Sequence, residues 1–198
     1  MTHRSTALVL LDYQVALCEE GPHTRLPALA HAVRERDVLT KAATVLCAAR
    51  AAGVPVLHVR LAFDPTFRLR TNRSARFDAY PKDGAMLAGS PEARIVEALA
   101  PRDGEPVIDK GAVDPFVGTP LREVLAAEGI DHIVIGGVAT NLVVESCARH
   151  ATDAGLQVTV LEDLCASFSP EAHAFAVDTT LPMFATVASS DQVLQEWS

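Results

Sequence analysis

Hydrophobic residues along the chain form short continuous runs that alternate with stretches in which apolar positions recur at helical spacing. The run at 7–11 is apolar throughout and ends at Asp12, which is typical of a strand buried on both faces of a sheet. The stretch 37–52 has apolar residues three and four apart and is followed by Gly53, which indicates a helix and its end. The pattern predicts strands at 7–11, 54–59, 106–109, 133–135, 157–161 and 184–189.

Helical spacing falls between these runs, so that strands and helices alternate along the chain. The predicted helices cover 37–52, 91–99, 119–128, a stretch after residue 140 that ends at Gly155, and 170–181. This alternation predicts an α/β fold, a Rossmann-like three-layer sandwich with helices on both faces of a six-stranded, mostly parallel sheet. We expect the doubly wound strand order 3-2-1-4-5-6. A length of 198 residues suits a single domain, residues 1–198.

The stretch 131–149 carries the most distinctive pattern, a β-branched run followed by Gly136, Gly137 and a new helix. We expect a tight turn at the two glycines and a helix cap at Thr140 or Asn141. The free N–H groups of such a helix start point beyond the strand end, where parallel α/β sheets bind ligands. A plain strand-to-helix connection is the alternative interpretation.

The segment 61–90 shows little periodicity and is broken by prolines and glycines. A loop of this length in a compact domain is usually functional or disordered. Its basic and aromatic residues are Arg68, Arg70, Arg73 and Arg76, with Arg60 just before them, and Phe63, Phe67, Phe77 and Tyr80. Guanidinium groups bind carboxylates through paired hydrogen bonds, so one interpretation is a lid over an anionic ligand. The other is a solvated surface loop or a subunit contact.

The amino-acid composition limits the kinds of binding partner that we expect. A formal net charge of −8 and a pI near 5.3 argue against nucleic acid and against an anionic membrane surface, which leaves a small molecule as the expected partner. The four cysteines are widely spaced and indicate free thiols in a reducing compartment. Because no leader opens the chain and no apolar run approaches the roughly 20 residues of a membrane helix, we expect a cytoplasmic protein.

Three polar features follow different predicted strands at their C-terminal ends: Asp12, Lys110 and the glycine pair at Gly137. In the doubly wound order, the first and fourth strands flank the point where the order reverses, so Asp12 and Gly137 face one crevice. Lys110 must reach that crevice from a more distant strand, and its charge is expected to hold Asp12 ionised. Each residue alone is an ordinary strand-end residue, and only their joint placement indicates an active site.

At these residues the chain resembles the isochorismatase-like hydrolases, also called the cysteine hydrolase superfamily. The resemblance lies in Asp12-Tyr13-Gln14, Lys110 with Phe116 six residues later, Gly137-Val138-Ala139-Thr140, and 162–167 with His173. It implies a Rossmann-like fold, catalytic roles for Asp12 and Lys110, and a cis peptide bond between Val138 and Ala139. Together with the arginine-rich segment, it gives an expected substrate-binding set of Gln14, Arg60, Arg76, Phe116, Val138, Ala139, Thr140 and Val143.

The chain departs from the family pattern at the nucleophile. Most members use a cysteine three residues after the motif threonine, where this sequence has Val143. One explanation is that Cys147, one helical turn later, acts as the nucleophile of an amidohydrolase. Its displacement of roughly 6 Å along the helix argues against the required geometry.

The second explanation is chemistry without a thiol. True isochorismatases of this superfamily also lack the cysteine: an acid at the position of Asp12 protonates a vinyl ether, and water adds to the resulting cation. They carry glycine where Val143 stands, so the substrate here is expected to differ. We therefore expect acid-assisted hydrolysis of a small anionic molecule, with Asp12 as general acid/base and Lys110 as its electrostatic partner. A member that binds its ligand without turnover is the third hypothesis.

The resemblance also bears on metals and assembly. Nicotinamidases of the superfamily hold a metal through an Asp-x-His pair and further histidines after the second strand, where this chain has only His58, so no metal and no cofactor are expected. A homodimer or homotetramer is expected from the resemblance. Cys18, Cys47 and Cys165 are interpreted as structural residues, and His173 as a residue that packs or caps its helix.

Overall fold

Six strands form the centre of the structure, a computed structural model that describes residues 5–197. They are β1 (Thr6–Leu11), β2 (Val56–Leu61), β3 (Val107–Lys110), β4 (His132–Gly137), β5 (Gln157–Leu161) and β6 (Thr186–Ala188). All neighbouring strands are parallel, in the order β3-β2-β1-β4-β5-β6. The predicted α/β fold and its strand order are confirmed, and the order reverses between β1 and β4.

Helices cover both faces of the sheet. The α-helices of the described residues are α1 (Val15–Cys18), α2 (Pro27–Glu35), α3 (Val38–Ala51), α4 (Ala75–Asp83), α5 (Leu121–Ala127), α6 (Glu145–Asp153), α7 (Pro170–Phe175) and α8 (Ser190–Glu196). π-Helical turns at Thr140–Val144 and Ala176–Thr180 precede α6 and extend α7. No helix among the described residues has the length and apolar character needed to cross a bilayer.

The position of β1 in the middle of the sheet explains why residues 7–11 are all aliphatic. Leu8 and Leu10 belong to the core on the side of α2, α3 and α8. Ala7, Val9 and Leu11 belong to the core on the side of α5 and α6. Because successive side chains of a strand point to opposite faces, a strand covered on both sides must be apolar at every position.

The predicted turn at Gly136 and Gly137 is wrong, because β4 continues through both glycines and pairs them with Leu10 and Leu11 of β1. Close packing explains the glycines. A Cβ on Gly137 would lie 2.5 Å from the carbonyl oxygen of Leu11, and one on Gly136 would lie 2.8 Å from the hydroxyl of Tyr13. The strand thus approaches its neighbours more closely than any side chain allows.

The segment 61–90 is packed and not a plain loop, since it contains α4. Phe63, Phe77 and Tyr80 form a separate apolar cluster, with the ring of Tyr80 5.3 Å from that of Phe63 and 5.4 Å from that of Phe77. Pro81 lies inside the helix, and no side chain caps its N-terminus. For these two reasons the sequence pattern did not predict this helix.

The predicted helix at 91–99 is also wrong, because only a 3₁₀ turn at Glu97–Leu99 forms there. The backbone before it pairs with residues 13–15 instead: Val15 N–H donates to the Arg94 carbonyl, and Val96 N–H to the Tyr13 carbonyl. These long-range bonds replace the local bonds of a helix. The sequence analysis also missed the helices α1, α2 and α8.

We predict that Gly137→Ala lowers the free energy of unfolding by about 1–3 kcal/mol, because its Cβ would overlap the backbone of β1. The measurement is equilibrium denaturation in urea. Gly89→Ala is the matched control, since an added Cβ there meets no atom within 4 Å and the residue has no positive φ. Equal stability of the two variants would contradict this account of β4.

Candidate active site

Asp12 and Lys110 meet at the C-terminal edge of the sheet. Asp12 follows β1 directly and Lys110 ends β3, so the lysine side chain crosses the end of β2, which lies between them. Lys110 Nζ lies 2.9 Å from Asp12 Oδ2 and also donates to the carbonyl oxygen of Ala112 at 2.9 Å. The structure therefore brings together the two residues predicted to be catalytic.

The carboxyl group of Asp12 is buried and only half satisfied. The residue is 6% exposed, and its Oδ1 is buried without a hydrogen-bond partner among the described residues. The sequence analysis expected Lys110 to hold the group ionised. Burial is the larger effect and raises the pKa of Asp12, although Lys110 and Arg76 favour the charged form. A carboxyl group with a raised pKa and a free oxygen is suited to transfer a proton.

The segment after β4 supplies a backbone donor beside this carboxyl group. The N–H groups of Val138 and Thr140 donate to backbone carbonyls at 3.2 and 2.8 Å. The Val138–Ala139 peptide bond is cis. Ala139 borders the same pocket as Asp12, and its N–H has no backbone acceptor within residues 5–197.

The pocket around Asp12 is mostly apolar. Its charged lining residues are Asp12, Lys110 and Arg76. The other lining residues are Leu17, Leu26, Leu29, Leu61, Phe77, Tyr80, Val113, Val138, Ala139, Leu142, Val143 and Phe168. The cavity measures about 30 Å³, which is enough to hold water.

Of the arginines in and beside the segment 61–90, Arg76 is the one that lines the pocket. Arg60 donates to Asp109 Oδ1 at 2.6 Å, and Arg70 is paired with Asp78. Arg76 lies 5.9 Å from the ring centre of Phe168 and has no hydrogen bond or ion pair with any other described residue. The structure thus leaves the Arg76 guanidinium free for an anion and keeps Arg60 away from the pocket.

Gln14 does not line the pocket, although the sequence analysis included it in the substrate-binding set. The side chain is fully buried, and its Nε2 donates to the carbonyl oxygens of Leu61 and Ala93 at 2.8 and 2.9 Å. Its Oε1 accepts from the Leu61 N–H at 2.8 Å. Gln14 therefore connects the end of β1 to the end of β2, and its side-chain amide is occupied by hydrogen bonds within the fold.

Phe116 and Thr140 lie beside the pocket and do not line it. Phe116 stacks on the ring of His150, with the ring centres 4.5 Å apart. Thr140 Oγ1 lies 2.8 Å from His173 Nδ1, while Asn141 Oδ1 accepts from Ser167 Oγ. Neither Thr140 nor Asn141 caps the helix, so the predicted cap is wrong.

The cysteines lie apart from the reacting groups. Cys147 is fully buried in the core between the sheet and α6, and burial together with Asp114 raises the pKa of its thiol well above the usual range. Burial also raises the pKa of Cys18, and that of Cys165 to about 12. Cys47 was interpreted as a structural residue among aliphatic side chains, but it is exposed on α3. The structure does not bring Cys147 into the pocket, whereas Val143 lines it.

Sequence reasoning missed most of the apolar lining. Leu26 and Leu29 lie at the start of α2, and Phe77 and Tyr80 lie on α4. Proline at the first position of a helix was a usable signal for α2. For Phe168, which follows β5 and its 3₁₀ turn, no such signal is present in the sequence.

Metal ligation finds no support in the described part of the chain. Among residues 5–197, no three His, Cys, Asp or Glu side chains are grouped so that they could hold a metal ion. His58, the histidine expected nearest such a site, lies 3.2 Å from Glu105 Oε2. A metal-free site stays a prediction.

The chain is an α/β protein with a doubly wound sheet, and its buried carboxylate–ammonium pair lies beside the reversal point, where such sheets generally bind ligands. The Isochorismatase domain matches residues 6–192. The isochorismatase family protein YecD of Escherichia coli O157:H7 is 31% identical over 200 residues, covering 96% of this chain and 95% of that protein. The chain therefore belongs to the isochorismatase family, whose members are hydrolases.

Further relatives agree with this family. Ureidoacrylate amidohydrolase RutB of Enterobacter sp. (strain 638) is 28% identical over 199 residues, covering 92% of this chain and 86% of that protein. A cysteine hydrolase from Pseudomonas syringae pv. phaseolicola 1448A superposes with a TM-score of 0.84 at 25% identity, covering 98% of this chain and 92% of that chain. An isochorismatase family protein from Desulfovibrio vulgaris subsp. vulgaris str. Hildenborough gives the same score and identity, covering 98% and 100%.

We predict that a water-soluble thiol reagent labels Cys47 rapidly in the folded protein and leaves Cys147 unlabelled until the protein unfolds. The reason is that Cys47 is exposed, whereas Cys147 is buried and its thiol pKa is raised. Mass spectrometry of digested protein measures both sites, and Cys47→Ser is the control that should remove the rapid label. Rapid labelling of Cys147 would identify it as a reactive thiol after all.

Proposed function

We propose that this protein hydrolyses a small anionic molecule by acid-assisted chemistry that uses no thiol. The observation that carries this proposal is Asp12, which lines the pocket: its Oδ1 is buried and has no hydrogen-bond partner within residues 5–197, while its Oδ2 pairs with Lys110. The raised pKa of Asp12 supports a role as general acid, since more of the carboxyl group is protonated at a given pH.

In the proposed reaction on a vinyl ether, protonated Asp12 gives its proton to the vinyl carbon, and water adds to the oxocarbenium ion that results. The proton released by that water returns to the Asp12 carboxylate. The hemiketal then collapses: the C–O bond to the leaving group breaks, the leaving oxygen takes up a proton, and the hemiketal hydroxyl loses one as the carbonyl product forms. Lys110 stabilises the Asp12 carboxylate while the proton is on the substrate. The Ala139 N–H donates to an oxygen atom of the substrate. The small cavity, which admits water, lies beside the same carboxyl group.

The anionic substrate is supported by the charges of the pocket. Lys110 and the Asp12 carboxylate balance each other, which leaves Arg76 as the unbalanced charge of the lining. An anionic group of the substrate can replace the contact of Arg76 with the ring of Phe168. The apolar lining suits a substrate whose remaining atoms are largely apolar.

The competing proposal, a cysteine amidohydrolase that uses Cys147, finds less support. The thiol is fully buried and does not border the pocket, and its raised pKa disfavours the thiolate that a nucleophile requires. Val143, which does border the pocket, has no nucleophilic atom.

Location and assembly stay proposals as well. We propose a cytoplasmic protein, on the basis of its acidic composition and widely spaced cysteines. We also propose a homodimer or homotetramer. Phe175 and Met183, which are 65% and 75% exposed, offer apolar surface for such contacts.

We predict that Asp12→Asn lowers turnover by about 10²–10⁴-fold, because the amide cannot transfer the proton. The measurement is hydrolysis of a panel of vinyl ethers such as isochorismate, primary amides and ureido acids. Cys147→Ala is the matched control and should retain activity, because its thiol lies outside the pocket. Turnover by the wild type should fall as the pH rises through the pKa of Asp12, since the protonated form is the active one.

Two results would contradict this proposal. Loss of amide hydrolysis in a folded Cys147→Ala variant would make the thiol the nucleophile. If the wild type hydrolyses no compound of the panel, the result would favour a protein that binds its ligand without turnover.

We predict that Arg76→Gln raises KM for an anionic substrate about tenfold or more, because a hydrogen bond to a charged group contributes about 1.5–3 kcal/mol. Arg76→Lys keeps the charge and should have a smaller effect. Arg73→Gln is the control, since Arg73 is exposed in the same segment and does not line the pocket. Equal changes in KM for Arg76→Gln and Arg73→Gln would show that Arg76 does not contact the substrate.

A further inference from the structure

The position of the Lys110 ammonium depends on the loop that follows β3. This loop, residues 111–118, has no regular secondary structure. Its Ala112 carbonyl is one of the two acceptors of Lys110 Nζ, and Val113 lines the pocket. Any displacement of the loop therefore moves an acceptor of the ammonium group and part of the pocket wall.

Two contacts from α6 hold this loop in place. Asp114 Oδ2 lies 2.8 Å from His150 Nδ1, and its Oδ1 accepts from the Phe116 N–H at 2.8 Å. The Phe116 ring then stacks on the imidazole of His150, with the centres 4.5 Å apart and the planes inclined by 15°. His150 thus binds the loop through its ring edge and its ring face together.

The helical segment that carries His150 begins at the pocket. Its first part is the π-helical turn Thr140–Val144, whose Val143 lines the pocket, and α6 continues directly from this turn to His150, which holds the loop. The contact therefore fixes the loop relative to a continuous helical segment whose first turn forms part of the pocket wall.

We propose that His150 and Asp114 are positioning residues, which clamp the loop 111–118 to α6 so that Lys110 stays paired with Asp12. Their importance for catalysis rests on the proposed function of Asp12 and Lys110, but the pairing itself is measurable without a substrate. Neither residue itself lines the pocket at Asp12, so the clamp acts through the loop and its Ala112 carbonyl.

The test is an NMR titration of the Asp12 carboxyl carbon in the full chain, with Asp12→Asn to assign its signal. An opposite charge in contact lowers a carboxyl pKa by about 1–3 units. We expect His150→Ala, which removes both contacts, to raise the pKa of Asp12 by about one unit, because Lys110 is then less firmly held. Asp114→Asn should act in the same direction and keeps the size of the side chain.

The matched control is Arg149→Ala, next to His150 in the same surface groove. Arg149 donates to Glu145 and lies over the ring of Phe184, and neither contact involves the loop. This variant should leave the titration of Asp12 unchanged. His150→Gln, which can still donate to Asp114, should lie closer to wild type than His150→Ala.

An unchanged Asp12 pKa in folded His150→Ala or Asp114→Asn would overturn the proposal, even where the variant is less stable. An equal shift in Arg149→Ala would overturn it as well. If His150→Ala does not fold, Asp114→Asn decides the question. If the pKa of Asp12 shifts in these variants but the wild type hydrolyses no substrate, the clamp is supported and the proposed function is not. If the wild type hydrolyses a substrate but the pKa does not shift, the proposed function is supported and the clamp is not.

Discussion

The buried contact between Asp12 and Lys110 is the interaction on which the rest of the site depends. Removing two charged groups from water costs several kcal/mol each, and their attraction offsets this only with good geometry and further hydrogen bonds. The structure supplies that geometry from three sources: the αL backbone of Asp12, the Gln14 amide that joins β1 to β2, and the loop that offers Ala112. Within the described part of the chain, Oδ1 of Asp12 nevertheless has no hydrogen-bond partner.

The fold was predictable because the apolar runs that indicate its strands are local in sequence and recur along the chain. A parallel strand covered on both faces must be apolar at every buried position, and β1 satisfies this rule from Ala7 onward and β4 from Ile133 onward. The errors occurred where distant contacts override the local pattern. The segment before Leu99 pairs with residues 13–15 instead of forming a helix, and the glycines of β4 serve packing against Leu11 and Tyr13, which no local pattern reveals.

The candidate site was predictable only in part, for a related reason. Asp12 and Lys110 were found because residues at the C-terminal ends of parallel strands converge on one edge. Gln14 and Phe116 belong to the motifs of Asp12 and Lys110, and Arg60 precedes the arginine-rich segment. All three side chains are bound within the fold, by Leu61, His150 and Asp109 respectively. Residue type and spacing do not tell whether a polar group is free or already bonded. The apolar lining, such as Phe168, depends on how the chain folds back over the crevice.

Val143, in the π-helical turn before α6, and Cys147, on α6, distinguish the two hypotheses by their surroundings. Val143 lines the pocket, whereas Cys147 lies in the core, where burial and then Asp114 raise the pKa of its thiol. A thiolate needs nearby positive charge or free amides, and the Lys110 ammonium is paired with Asp12 instead. The electrostatics of this site therefore favour a proton-transferring carboxyl group over a nucleophilic sulfur.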